Sequence, residues 1–430
     1  MMNSHRPRPR DWDAMSLEFE TGKACLRQVN HSTPALIRER GRRRVRVRLM
    51  GVLAALVCML SLALVTPSRA DDKLKVGFIY VGPVSDFGWT RSHDYGRSQA
   101  QKALPWVETS YVESVSEGEL ESYVDQMADQ GVKVIFTTST SYVDGTIAAA
   151  ASHPDILFFN ASGYKNASNV ATYTADLYQI NYLFGLLAGA LSKSAKIGYV
   201  GTYPTPELVR YINALTLGVR TVNPSAIVII RWLNTWYNPP AEKEAAEALL
   251  SQGVDFLMNG ADSPTVAEVA TAHHVPVNGH AAILDDDVPY QVISRDAYNW
   301  GPAYIRLLQG VRDGKYTSSN LQGVQDWYRL AEGVVQFAYK PGVPIDPKYK
   351  EALSAVHVND GQGGQISAYD LVLKRLTQMS ASPPEFEPFQ GPIKDADGKV
   401  RIPEGRAATK AELFSMTWRV AGVVGNWPLK

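Results

Sequence analysis

From residue 74 onward, short apolar stretches alternate with amphipathic ones, and this alternation limits the possible folds more than any other feature. KLKVGFIYV (73–81) predicts a buried strand, and WTRSHDYGRSQAQKAL (89–104) predicts a helix that ends before Pro105. Strand and helix patterns then follow one another as far as NVATYTAD (169–176). This order is typical of a parallel sheet with helices on both faces.

The alternation repeats in a second half of the chain. It begins with the helix pattern LYQINYLFGLLAGALSKS (177–194) and continues to VPVNGH (275–280) and YQVISRD (290–296), both predicted as strands. No low-complexity linker of 15 or more residues separates the halves, so we expect them to pack together across a short hinge. The sequence therefore predicts an α/β fold with two doubly wound lobes.

The C-terminal tail has a different pattern and is expected to close the second lobe. Asp397-Gly398 lies between two short apolar stretches, which predicts a hairpin over 393–402. Thr409 and Glu412 have the spacing of a capping box, which predicts the start of a helix over 409–423.

The N-terminus has the pattern of an export signal. GRRRVRVRLM (41–50) is basic, GVLAALVCMLSLALV (51–65) is apolar, and residues 66–70 end in Ser68-x-Ala70. The apolar run is shorter than the roughly 20 residues that cross a bilayer. We therefore predict cleavage after Ala70 rather than a membrane anchor, and we exclude residues 1–70 from the fold.

Cleavage after Ala70 changes the composition of the chain. Residues 71–430 hold 30 Lys and Arg against 38 Asp and Glu, and both cysteines, Cys25 and Cys58, lie before residue 71. An acidic protein lacks the cationic face that binds phosphates, so nucleic acid is not expected as a partner. Disulfides, thiol nucleophiles and cysteine metal sites are excluded.

The sequence contains none of the catalytic motifs sought. G-x-S-x-G, H-E-x-x-H and the Walker-type G-x-x-x-x-G-K-[ST] do not occur. His273 and His274 are adjacent, which is a poor spacing for metal ligation from one helix face, and Asp285, Asp286 and Asp287 are interpreted as a solvated loop. We therefore predict a binding protein that is not an enzyme and has no cofactor or metal.

Candidate ligand-binding residues follow the predicted strands, because ligands of open α/β sheets bind beyond the carboxyl ends of the strands. They are aromatic, acidic or polar: Asp86, Trp89, Ser139, Trp236, Tyr237, Asp262 and Asp296, with His93 as a further candidate one turn into the helix that follows the first strand. A planar heteroaromatic ligand suits this set, since its faces can stack on Trp or Tyr. Its ring N–H and amino groups can donate to carboxylates and hydroxyls.

Structural roles compete with ligand binding at several of these positions. Trp89 opens a predicted helix and could belong to the core, and Asp86 and Asp262 are each placed to cap a helix. His93 and Asp94 are adjacent on a helix and do not face each other, so a structural role for His93 is also open.

Four stretches of the chain resemble one known family. They are VGFIYVGPVSDFGWTRSHDYGR (76–97), the long segment 160–218, RWLNTWYNPPAEKEAAEALLSQGVDFLMNGADSP (231–264) and FQGPIKDADGKVRIPEG (389–405). With them, residues 71–430 are similar to the basic membrane protein family of ABC-transporter substrate-binding proteins, which includes purine-nucleoside receptors.

The resemblance implies a type I periplasmic binding protein fold, with two lobes, a hinge and a ligand cleft. By analogy the chain crosses between lobes near residues 175, 295 and 320. The expected first lobe is 71–175 plus 296–320, and the expected second lobe is 176–295 plus 321–430.

The resemblance also implies how a ligand is held. Receptors of the family clamp the base between two aromatic rings, and the matching positions are Trp89 and Trp236, with Asp86 as the acidic residue of the first motif. The family's lysine that holds ribose has no counterpart, since Ser294 and Asp296 stand in its region. A free purine base is therefore expected to fit better than a nucleoside, with His93 as a source of one in-plane hydrogen bond.

The expected function is that of a monomeric periplasmic protein that delivers its ligand to the membrane permease of an ABC importer. Three alternatives stay open at this stage: a purine-processing hydrolase, a sensory receptor domain, and a receptor for another planar ligand such as an aromatic acid. Arg91, Arg210 and Arg295 are the cations that an acidic ligand would use.

Overall fold

The computed structural model describes residues 73–86, 88–280, 283–284, 290–359 and 364–429. The strands are β1 (Leu74–Ile79), β2 (Val107–Val112), β3 (Val134–Thr137), β4 (Leu157–Ala161), β5 (Val170–Ala175), β6 (Lys196–Gly201), β7 (Ile227–Trp232), β8 (Phe256–Asn259), β9 (Arg295–Tyr298), β10 (Gln325–Tyr328), β11 (Val335–Ala338), β12 (His357–Asn359), β13 (Gln365–Ser367), β14 (Ile393–Lys394), β15 (Val400–Ile402) and β16 (Val423–Gly425). The helices are α1 (Trp89–Ala103), α2 (Leu120–Asp129), α3 (Val143–Ser152), α4 (Tyr178–Leu191), α5 (Pro206–Val222), α6 (Pro239–Leu250), α7 (Thr265–Ala272), α8 (Gly301–Arg312), α9 (Lys350–Ala355), α10 (Ala368–Ser380) and α11 (Lys410–Phe414). The predicted signal peptide and Asp285–Asp287 lie outside the described residues.

The first sheet is parallel throughout and has the strand order β10-β5-β4-β3-β1-β2. Successive residues of a strand point to opposite faces, so a sheet covered on both faces needs apolar residues at consecutive positions. On β3, Phe136 packs in one apolar cluster and Ile135 packs in another. Helices therefore cover both faces, as the sequence predicts.

The second sheet has the parallel order β16-β7-β6-β8. Two isolated parallel bridges, Leu257 to Val277 and Gly279 to Arg295, link it to the antiparallel pair β9 and β11. The strand predicted over 275–280 is reduced to these bridges. The side chain of Asn278 accepts from the Asn259 amide at 2.6 Å and takes the place of a backbone partner.

The chain passes between the two sheets after β5, after β9 and after β10. The strand β10 pairs with β5 in the first sheet, although residues 321–430 were expected in the second lobe. We therefore propose that the first lobe extends to Tyr328 and that the third crossing follows it.

The helices α4 and α5 pack against each other at the start of the second lobe, with glycines at their crossing. A Cβ atom added at Gly185 would overlap the carbonyl oxygen of Leu215, and one added at Gly218 would overlap that of Tyr182. The glycines let the two backbones approach closely where the helices cross.

The tail closes the second sheet. The hairpin of β14 and β15 and the capping box of Thr409 and Glu412 are confirmed. The helix predicted over 409–423 is wrong beyond Phe414. There the backbone of Val420 donates to Asn213, and β16 pairs with β7. Tertiary hydrogen bonds therefore end the helix.

Candidate ligand-binding site

A cavity of about 420 Å³ lies at the carboxyl ends of strands from both sheets. Its volume lies in the usual range of small-molecule sites. The lining residues fall mostly in the segments that follow β1, β3, β4, β6, β7 and β8: Val81, Gly82, Pro83, Ser85, Asp86, Trp89, Thr90, Ser139, Thr140, Ser162, Glu207, Leu208, Tyr211, Trp236, Tyr237, Gly260, Asp262, His280 and Tyr298.

Trp89 is the first residue of α1 and lines the cavity from the first sheet. Its indole Nε1 donates to the carbonyl of Thr138 at 2.5 Å, so the indole N–H is already occupied. The rings of Tyr298 and Trp300 meet it edge-on, at centroid distances of 5.3 and 5.6 Å. These contacts fix the orientation of the indole before any ligand binds.

Trp236 lines the same cavity from the loop between β7 and α6. It is 37% exposed, and its ring lies 5.2 Å from the ring of Tyr203. Its carbonyl accepts from the amide of Asp262 at 3.1 Å, which ties this loop to the loop after β8. The two tryptophans thus come from loops of different sheets and share one cavity.

Asp86 caps α1. Its carboxylate accepts from the amides of Thr90 at 2.9 Å, Arg91 at 2.8 Å and Gly88 at 3.2 Å. The capping role considered from the sequence is therefore present, and the carboxylate also lines the cavity. Burial raises the pKa of Asp86, and these hydrogen bonds oppose that effect.

The second lobe contributes an acidic wall with one imidazole. Asp262 and His280 both line the cavity, and Nδ1 of His280 lies 3.1 and 3.3 Å from the two carboxylate oxygens of Asp296. Burial raises the pKa of Asp262 to about 7. Burial alone would lower the pKa of His280, but Asp296, Asp262 and Glu242 outweigh it and raise the pKa.

Hydroxyl groups complete the lining. Ser139 accepts from the amide of Ser141 at 3.2 Å and stays at the cavity surface. The hydroxyl of Ser162 is buried and has no hydrogen-bond partner within the described part of the chain. Buried polar groups are normally paired, so this hydroxyl favours a ligand with a polar edge.

His93 and Asp296 lie behind the cavity wall rather than on it. His93 is fully buried, stacks on Trp300 at 4.4 Å and bonds through Nδ1 to the Tyr304 hydroxyl. Asp296 is 2% exposed and supports His280. The other six candidates, Asp86, Trp89, Ser139, Trp236, Tyr237 and Asp262, line the cavity.

Four further lining residues were not predicted from the sequence: Glu207, Tyr211, His280 and Tyr298. His280 and Tyr298 each end a strand-like segment, so the carboxyl-end rule could have found them. Glu207 stands in the first turn of α5 and accepts from the Tyr211 hydroxyl at 2.7 Å. Tyr211 has no local signal, because only the packing of α5 turns it toward the cavity.

Neither Lys nor Arg is among the described residues that line the cavity. Arg210 is paired with Asp176, and Arg295 donates to the carbonyls of Tyr339 and Leu284. An anionic ligand would therefore meet carboxylates with no Lys or Arg beside them, which disfavours the aromatic-acid alternative. Within the described ranges, no group of three or more His, Cys, Asp or Glu side chains is placed to hold a metal ion.

The raised pKa of Asp262 predicts a pH-dependent cost in stability. The folded protein holds this proton up to about pH 7, whereas an unfolded aspartate loses it near pH 3.9, so stability from this group falls as the pH rises between these values. Asp262→Asn is expected to be more stable than the parent protein by about 1–3 kcal/mol at pH 8 and equal to it near pH 4. Urea unfolding at both pH values measures this, and an equal difference at both would contradict it.

Fold and site together define a two-lobed solute-binding protein with its ligand cavity between two parallel sheets. The chain belongs to the Bmp family, described as ABC transporter substrate-binding protein PnrA-like, whose model matches residues 73–357. The family resemblance and the fold class predicted from the sequence are both confirmed. Among the described residues, no helix has the length and apolar character to span a membrane.

Two curated proteins and one solved structure are similar to this chain. A purine-binding protein of Brucella abortus (strain 2308) is 36% identical over 363 residues, which cover 84% of this chain and 96% of that protein. A protein of Haloferax volcanii, provisionally named an ABC transporter glucose-binding protein, is 33% identical over 60% of this chain and 66% of its own length. An ABC transporter solute-binding protein from Conexibacter woesei DSM 14684 shares the fold at a TM-score of 0.54 and 20% identity, over 73% of this chain and all of that one.

Proposed function

We propose that the protein is the periplasmic substrate-binding component of an ABC importer and that it binds a purine base between Trp89 and Trp236. The observation that carries the proposal is that two indoles from different sheets line one cavity whose remaining polar groups are carboxylates, an imidazole and hydroxyls. An indole pair holds the two faces of a flat ring. The acidic and hydroxyl groups accept from its ring N–H and amino groups.

A free base suits the cavity better than a nucleoside. The Ser294 hydroxyl donates to the Pro344 carbonyl at 2.7 Å, and Asp296 supports His280. Neither Ser294 nor Asp296 is among the residues that line the cavity. These two positions, which stand where the family has its ribose-binding lysine, therefore do not supply a hydrogen-bond partner for a ribose. The purine-binding relative, with 36% identity over most of both chains, supports the same ligand class.

The proposed action is closure of the two lobes on the ligand. Three chain crossings join the sheets, and such crossings act as hinges in two-lobed binding proteins. Stacking and edge contacts offset the free-energy cost of closure, and the closed form is recognised by the permease. Export after Ala70 and action as a monomer are part of this proposal.

Calorimetric titration of the purified protein tests the ligand class. The protein is first unfolded and refolded to remove bound ligand, and then titrated with adenine, guanine, hypoxanthine, adenosine, glucose and benzoate. We expect at least one purine base to bind and adenosine to bind more weakly. In a parallel fluorescence titration, we expect the purine base to quench tryptophan fluorescence. Binding of glucose or benzoate without binding of any purine would overturn the proposal.

A further inference from the structure

We infer that Asp262 and His280 act as a pair with exchangeable hydrogen-bonding roles, through which the cavity accepts both 6-amino and 6-oxo purines. The inference rests on the proposed purine function and adds to it the residues that set selectivity among purines. Both side chains line the cavity from the second lobe, and His280 is held there by Asp296.

The position of Asp296 determines what His280 can offer. Asp296 is 2% exposed, and its two oxygens both lie within hydrogen-bond distance of Nδ1. The Nδ1–H of His280 is therefore directed to Asp296, which leaves Nε2 as the ring nitrogen for the cavity that the side chain lines. Nε2 accepts a hydrogen bond when the imidazole is neutral and donates one when it is charged.

Asp262 is the natural partner for this exchange. It lines the same cavity, and each of the two groups changes the pKa of the other. The protonated carboxyl group donates, and the carboxylate accepts. The other titratable groups that act on the pair come from four surrounding elements: Asp86 before α1, Glu207 on α5, Glu242 on α6, and Asp296 and Tyr298 on β9.

One proton shared between Asp262 and His280 gives two hydrogen-bonding patterns. With the proton on His280, the imidazole donates and the Asp262 carboxylate accepts. With the proton on Asp262, the carboxyl donates and Nε2 of His280 accepts. The amino and N1 groups of adenine are a donor beside an acceptor, whereas the oxo and N1–H groups of hypoxanthine are an acceptor beside a donor. Moving the proton therefore matches either base without net proton uptake.

Two substitutions that each leave one member of the pair are expected to give selectivities that change with pH in opposite directions. In His280→Phe, the Asp262 carboxyl donates at pH 6 and only accepts at pH 8, so adenine should gain over hypoxanthine by roughly tenfold or more as the pH rises. In Asp262→Ala, the imidazolium of His280 donates to adenine N1 at the lower pH and the neutral imidazole accepts from hypoxanthine N1–H at the higher pH, so hypoxanthine should gain by a similar factor. Calorimetric Kd values for both bases at pH 6 and 8 give these ratios.

Two exposed residues supply matched controls. His273→Phe, near the C-terminal end of α7, and Asp129→Ala, at the end of α2, make the same substitutions away from the cavity and should leave the ratio of the two Kd values unchanged. If the ratio changes with pH in the same direction in both cavity variants, or changes in neither, the inference is overturned. Failure of the parent protein to bind any purine would overturn the proposed function itself, which separates the two outcomes.

A measurement on the unaltered protein does not depend on folding of the variants. Titrations with adenine and hypoxanthine are repeated at pH 7 in buffers of different ionisation enthalpy, which reports the protons exchanged on binding. We expect adenine and hypoxanthine to exchange the same number of protons with solvent on binding, because the proton moves between Asp262 and His280. Uptake or release of about one proton with only one of the bases would contradict the inference.

Discussion

Replacement of Trp236 by alanine is expected to weaken purine binding by roughly 5- to 150-fold while leaving the fold intact. Loss of one stacked aromatic ring costs about 1–3 kcal/mol per base, which corresponds to that range in Kd. Trp236 is 37% exposed and lies in a loop, so its side chain contributes little to the core. Calorimetric titration with the best purine ligand measures the change in Kd, and thermal unfolding checks the fold.

Two further variants separate stacking from other effects at this position. Trp236→Phe keeps an aromatic face and should recover most of the affinity lost in the alanine variant. Trp106→Ala removes a partly exposed tryptophan that lies outside the cavity and should leave the Kd unchanged. If Trp236→Ala binds the purine as tightly as Trp106→Ala does, the indole clamp is not the basis of binding.

Trp89 is a less direct test of the same clamp. Its ring packs edge-on against His93 at 4.5 Å and against Tyr298 at 5.3 Å, and its N–H is bonded to Thr138. Loss of this side chain would therefore disturb a buried aromatic cluster as well as the ligand contact. This difference between the two indoles is why Trp236 provides the decisive variant.

Much of the site could be predicted because its position follows from a general property of parallel sheets. Asp86, Ser139, Trp236 and Asp262 follow strands, and the carboxyl-end rule was enough to select them. The rule gives the edge of the sheet but not the direction of each side chain. His93 lies one turn into α1, and packing against Trp300 turns it into the interior.

The features that were missed depend on contacts between distant segments. Tyr211 lies on α5, which packs closely against α4, and no pattern around residue 211 indicates that its side chain lines the cavity. The strand expected over 275–280 fails for a related reason, since the side chain of Asn278 replaces its backbone in pairing with Asn259. Propensity and periodicity describe one segment at a time, so they cannot predict contacts between segments that are distant in the sequence.

A buried ion pair joins the segments at which the chain passes between the sheets. Asp176 follows β5, and Nε of Arg210 on α5 donates to its two oxygens at 3.0 and 2.9 Å. Trp327 on β10 donates to the same carboxylate at 2.9 Å. Burial alone would lower the pKa of Arg210, but Asp176 outweighs it and raises the pKa, so the guanidinium stays charged. The first and third crossings are therefore connected through one carboxylate.

Arg210→Leu is expected to lower the free energy of unfolding by about 3–5 kcal/mol, because it leaves the fully buried Asp176 carboxylate without its cation. Denaturant unfolding followed by circular dichroism measures the loss. Arg406→Leu is the matched control: solvent screens its exposed pair with Glu412, so this variant should lose far less stability than Arg210→Leu. The double variant Arg210→Leu/Asp176→Asn removes the unpaired charge and should recover part of the stability. Equal losses in Arg210→Leu and Arg406→Leu would mean that the crossings are held together by packing rather than by this pair.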